Sequence, residues 1–126
     1  MALLLDTHIL LWWEEDSPKL GPVARAAIRA SDAVYVSAAS AWEAEIKRAL
    51  GKLIFAGDFD DMIRANDFAE LSVSVRHATA LRALAMHHGD PFDRMLIAQA
   101  LVEQCVLVSV DRKLSVYGVP LLDASR

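Results

Sequence analysis

His88-Gly89-Asp90-Pro91-Phe92-Asp93-Arg94, running into Met95-Leu96-Ile97-Ala98-Gln99-Ala100-Leu101, is the stretch on which the fold turns. Gly89 and Pro91 interrupt any helix that precedes them. Asp90 stands where an N-cap belongs, and Pro91 takes the first helical position. Leu96, Ile97, Ala98, Ala100 and Leu101 then leave little of the helix surface for water, which predicts a helix inside the protein. Two acids, Asp90 and Asp93, are thereby held at the positive end of a buried helix. Capping accounts for one of them. The second, followed at once by Arg94, directs attention to the other acids of the chain.

Outward from this helix, short apolar runs alternate with helical patterns. Ala2 to Leu5 is a continuous apolar run, the habit of a strand buried on both faces. Thr7 can cap a helix from about His8 to Glu14, and Ser17-Pro18 starts a second. Ala33-Val34-Tyr35-Val36 is the next strand, closed by Ser37. A helix near Ala39 to Leu50 follows, stopped by Gly51, and its Ser40-Ala41-Trp42-Glu43 has capping-box spacing. Glu43 and Lys47 are an i,i+4 pair on it. Asp58 to Ala65 and Val75 to His87 read as helices, with a short strand at Leu71-Ser72-Val73 between them. After the central helix, Val106 to Val110 is a β-branched strand ended by Asp111. Val119 to Leu122 is a final strand, placed at an edge by Pro120. This alternation predicts an α/β fold: helices on both sides of a central, mainly parallel sheet of four to five short strands, in one domain spanning residues 1–126.

Composition narrows the function classes. Apolar residues make up 55 % of the 126, which excludes disorder. The longest stretch without a charged residue, Ala33 to Trp42, is too short to span a bilayer. The N-terminus meets Asp6 without a basic segment, unlike a signal peptide, and the single cysteine excludes an internal disulfide framework. A cytoplasmic protein with no membrane association is expected. A net charge of −4 argues against a protein that coats DNA. It leaves room for a nucleic-acid enzyme whose bound cations supply the positive charge.

In open α/β sheets, ligands bind beyond the carboxyl ends of the strands. Asp6 and Asp111 end strands, Glu43 lies on the helix fed by the Ser37 strand, and Asp90 and Asp93 open the central helix. Each has a local explanation as a turn or capping residue. Gathered at one edge, they would repel one another and raise each other's pKa. A Mg²⁺ or Mn²⁺ ion, which prefers oxygen ligands, resolves that conflict. Zinc fits poorly, because no Cys pair or second spaced His joins His87, His88 and Asp90.

These residues also resemble a known family. Leu3-Leu4-Leu5-Asp6-Thr7-His8 resembles the opening strand and first acid of PIN-domain nucleases. Ser37-Ala38-Ala39-Ser40-Ala41-Trp42-Glu43 resembles their second motif, and the stretch from His88 to Ala100 the third, as it appears in VapC-type toxins of type II toxin–antitoxin systems. Ser109-Val110-Asp111 matches the last, with Ser where the family often has Thr. The resemblance covers nearly the whole chain and implies a PIN-like α/β/α sandwich. It implies a Mg²⁺- or Mn²⁺-dependent endoribonuclease acting on RNA, neutralised by a cognate antitoxin, and expected to form a homodimer. Carried over, Asp6, Glu43, Asp93 and Asp111 are the catalytic and metal-site acids, with Asp90 an additional one. Ser37 and Ser109 orient carboxylates or meet phosphate, and Arg94 contacts the scissile phosphate or neutralises Asp90. Trp13 is the candidate for the antitoxin groove.

The alternatives are a catalytically silent PIN-like binding module and another Mg²⁺-dependent phosphohydrolase. A haloacid-dehalogenase-like phosphatase would want an acid two residues after Asp6, where His8 stands. A receiver domain would want an acidic pair and a phospho-accepting Asp after the third strand, and neither is evident.

Overall fold

Leu3, Leu4 and Leu5 lose nearly all contact with solvent, and they do so on two different faces. Side chains alternate along a strand, so Leu3 and Leu5 enter one core with Val34, Val36 and Val108, while Leu4 enters a second with Leu107. This computed structural model describes residues 1–87 and 89–126, and His88, which the sequence places at a helix C-terminus beside His87, lies outside them. Among these residues five strands, β1 (Ala2–Leu5), β2 (Ala33–Ser37), β3 (Ala69–Leu71), β4 (Val106–Ser109) and β5 (Leu121–Asp123), make one sheet in the order β3-β2-β1-β4-β5. Every pairing is parallel, and β1 is central.

Among the described residues six helices cover the sheet: α1 (Thr7–Glu14), α2 (Pro22–Ala30), α3 (Ala38–Ala49), α4 (Phe59–Ala65), α5 (Val75–Ala80) and α6 (Pro91–Glu103). Ile9, Leu10, Ala24, Ile28, Ala44 and Ile63 from α1 to α4 pack on the Leu3/Leu5 face. On the other face α6 delivers Leu96, Ile97 and Ala100 against Leu4 and Leu107. Asp90 is its N-cap and Pro91 opens it, as expected, and Gln104 closes it in the left-handed conformation. Among the described residues no helix is long and apolar enough to cross a membrane.

Several boundaries differ from expectation, each for a local reason. Asp6 rather than Thr7 caps α1, so the helix begins at Thr7. The second helix starts at Pro22 after Gly21, not at Ser17-Pro18, because Ser17 to Leu20 closes as a turn whose Ser17 and Leu20 carbonyls accept from the Arg25 side chain. A side chain on Gly21 would run into the backbone of Arg126, with its Cβ 2.1 Å from the Arg126 carbonyl carbon. Ser37 is the cap of α3, which relieves Ser40-Glu43 of the capping-box role. The third strand ends at Leu71, level with Ser37, because β2 turns into α3 there and offers no further ladder partner. The helix predicted to reach His87 ends at Ala80 and tightens into a 3-10 turn over Leu81–Ala83. Thr79 Oγ1 bonds the Val75 carbonyl at 2.9 Å, a back-bond that bends and weakens helices.

Candidate functional site

The carboxyl ends of β1 and β4, adjacent in the sheet, meet the N-termini of two helices. Asp6 leaves β1 and caps α1, and its Oδ1 accepts from the Thr7 amide at 2.7 Å. Its Oδ2 accepts from Ser109 Oγ, also at 2.7 Å, at the end of β4. Ser109 Oγ in turn accepts from the Asp111 amide at 3.1 Å, and Asp111 caps the 3-10 turn of Arg112–Tyr117 by accepting from the Lys113 amide. Asp90 Oδ1 accepts from the amides of Phe92 and Asp93, which leaves Asp93 one turn inside α6.

Glu43 comes from the middle of α3 and is 4 % exposed. A buried carboxylate needs partners on both oxygens. Thr7 Oγ1 donates to its Oε1 at 2.6 Å, and the Lys47 ammonium stands 2.7 Å from its Oε2. Asp6, His8, Glu43, Lys47, Asp90, Asp93, Ser109, Val110 and Asp111 together line a depression of about 190 Å³. Five carboxylates predicted from separate parts of the sequence therefore share one wall.

The electrostatics record their proximity. Desolvation raises the Asp6 carboxyl above its ordinary value; the bonds from Ser109 and Thr7 oppose the rise, and the charge of Glu43 adds to it. The hydrogen bond to Glu43 raises Lys47, and the charges of Glu43, Asp90 and Asp93 add to it against the cost of burial. Five of the lining residues offer carboxylate oxygen, the chemistry that suits Mg²⁺ or Mn²⁺, beside His8, Lys47 and Ser109. A desolvated Asp6 facing Glu43 carries the repulsion that such a cation would relieve. As the side chains stand, no three Asp, Glu, His or Cys groups among the described residues are arranged to hold one ion.

Other singled-out residues fall elsewhere. Ser37 Oγ accepts from the Ala39 amide at 3.0 Å and lines a different hollow, with Phe59, Asp60 and Glu70. Arg94 donates to the Ala85 carbonyl at 2.8 Å and reaches Tyr117, bracing the segment before α6. Trp13 donates to Asn66 Oδ1 at 3.1 Å, packs on Phe68 and lies under Arg29. Its neighbour Trp12 stacks on His8, with Lys19 above its ring, at the edge of a groove of about 360 Å³. His8 and Val110 belong to both this groove and the acidic depression, so the two adjoin. Cys105 is buried, and desolvation pushes its thiol up, as suits a small core residue.

Thr7 was the least legible participant. Its place after Asp6 suggested a cap, whereas its buried hydroxyl serves Glu43 from 36 positions away. The available signal was a hydroxyl residue directly after a strand-ending acid.

Residues 3–120 match the PIN domain. The chain is 32 % identical to Ribonuclease VapC22 of Mycobacterium tuberculosis, over 94 % of each chain. Among solved structures it resembles VapBC-1 from nontypeable Haemophilus influenzae, with a TM-score of 0.67 at 18 % identity over 100 % of both chains. It also resembles VapBC2 from Rickettsia felis bound to a DNA fragment from their promoter, with a TM-score of 0.65 at 13 % identity over 97 % of this chain and 98 % of that one. At those identities the likeness speaks for the fold.

Proposed function

The chain belongs to the PIN domain family, and from that premise we propose that it is the ribonuclease toxin of a toxin–antitoxin pair. The observation that carries the reading is the convergence of Asp6, Glu43, Asp90, Asp93 and Asp111 on one depression at the sheet's carboxyl edge. The reaction is endonucleolytic hydrolysis of an RNA phosphodiester in the cytoplasm. Asp6, Glu43, Asp93 and Asp111 would hold Mg²⁺ or Mn²⁺, with Asp90 supporting the set while capping α6, and the cation would supply water activation and charge neutralisation at the scissile phosphate. Ser109 and Thr7 keep the Asp6 and Glu43 carboxylates turned toward the depression. No side chain serves as a nucleophile, and the products carry a 5′-phosphate and a 3′-hydroxyl.

The groove edged by Trp12 takes a segment of the antitoxin, which from there reaches the acidic depression through His8 and Val110. Trp13 supports that groove from behind, through Asn66 and Phe68. A second copy of the chain covers the apolar hollow of about 410 Å³ lined by Trp42, Val73, Leu81, Phe92 and Met95. Trp42, 65 % exposed and edge-on to Phe92, is the apolar surface that such a homodimer would bury. The test is to map RNA ends after production of the wild-type chain and of Asp6→Asn. New 5′-phosphate ends with the wild type and none with the variant support the reading. Equal cleavage by the two removes Asp6 from the site and ends it.

A further inference from the structure

Lys47 brings an ammonium into a pocket lined by five acids together with His8, Ser109 and Val110. α3 sets it one turn beyond Glu43, where i,i+4 spacing lets the two side chains meet. Its Nζ lies 2.7 Å from Glu43 Oε2, and the Thr7 hydroxyl holds the other oxygen at 2.6 Å. Glu43 is 4 % exposed while the Lys47 side chain is 36 % exposed, so the bridge has one buried end, unlike a bridge solvated at both. Both Glu43 oxygens are thereby engaged, and no three potential ligands among the described residues already surround one ion position.

We propose that Lys47 is a resident counter-ion: its ammonium holds the place at Glu43 that a divalent cation takes, and loading the site requires the two to exchange. The inference rests on the metal-dependent reading above and deepens it. Lys47 would keep the acids from driving one another apart before a metal arrives. The same contact would set a ceiling on metal affinity, because a charge-assisted hydrogen bond to a buried carboxylate has to be given up. Lys47 is a positioning residue in this account, and its effect is read in metal binding and in the metal-free fold.

The test is calorimetric titration of Mn²⁺ into the full chain, with melting temperatures measured with and without Mn²⁺. Lys47→Met removes the ammonium and keeps the length of the side chain. It is expected to bind Mn²⁺ about tenfold more tightly. It should also melt below the wild type without metal, with the gap closing at saturating Mn²⁺. Lys47→Gln retains a neutral donor for Glu43, secures a folded variant, and should also bind more tightly than the wild type. Lys52→Met, a control at an exposed position, should leave affinity unchanged. Wild-type or weaker affinity in both Lys47 variants, with Mn²⁺ still bound, overturns the counter-ion role and leaves the metal reading standing. Absence of Mn²⁺ binding in all four proteins overturns both.

Discussion

The two halves of the acidic depression are built on different principles. Asp6 and Glu43 are held by side chains: Ser109 reaches Asp6 from 103 positions away, and Thr7 reaches Glu43 from 36. Asp90 and Asp111 each commit an oxygen to backbone amides of their own turns, as N-caps. The first half exists only when β1, α3 and β4 have come together. The second half is prepared by local chain geometry. Removing a partner should therefore damage the first half through its geometry, and the second mainly through the stability of a helix start.

Asp6→Asn is the harshest test of that contrast. Cleavage should fall by more than the ~10–100-fold typical of losing an outer partner of a metal site, read as the rate of RNA cleavage with Mg²⁺ supplied. The metal-free fold should gain stability at the same time. Asp6 has its carboxyl raised above 3.8 by desolvation, so protonation favours the folded state. That contribution is fully present below the unfolded value and is lost as pH rises through the folded one. At neutral pH the ionised Asp6 is a burden, and the variant should melt above the wild type. The gap should shrink toward acid pH, and a constant gap would break the argument.

Ser109→Ala sharpens the comparison next. It removes the long-range donor to Asp6 and the acceptor for the Asp111 amide. Activity should fall by about 10–100-fold while circular dichroism stays that of the wild type. Thr7→Val keeps shape and strands one buried Glu43 oxygen, which should cost about 1–3 kcal/mol in chemical denaturation. Asp90→Ala should be the mildest in stability, at about 1 kcal/mol for a lost N-cap, with a smaller activity loss than Asp6→Asn. Activity losses of equal size in Asp90→Ala and Asp6→Asn would erase the distinction between the halves.

What was legible in the sequence divides along the same line. β1 and the cap of α6 follow from contiguous residues whose pattern admits few readings, and they stand as expected; α6 buries Leu96 to Ala100, whereas Leu101, expected inside with them, is 40 % exposed because it lies on the helix face turned from the sheet. The gathering of the acids followed from the rule that sites lie at the carboxyl ends of strands. The Ser40-Glu43 spacing misled, because capping-box geometry says nothing about Ser37 standing one turn earlier with the same chemistry. Ser37 and Arg94 are polar residues inside motifs, yet their bonds go to Ala39 and Ala85, and only tertiary geometry could decide that. Trp13 came from the resemblance alone, and its bond to Asn66 and packing on Phe68 are tertiary contacts that adjacent tryptophans in a sequence do not announce. α5 ends at Ala80 and tightens into a 3-10 turn over Leu81–Ala83, a change that the apolar period from Ala78 to Ala85 does not signal.

The bond from Ser109 to Asp6 has a further meaning when the chain is thought of as a product of translation. Asp6, Thr7 and Glu43 leave the ribosome long before Ser109 and Asp111 have been joined to the chain. Until β4 slides in beside β1, Asp6 lacks its distant donor and the depression lacks a wall. Completion of the acidic depression is therefore deferred until β4 has been made and paired with β1, long after Asp6, Thr7 and Glu43 have been joined to the chain.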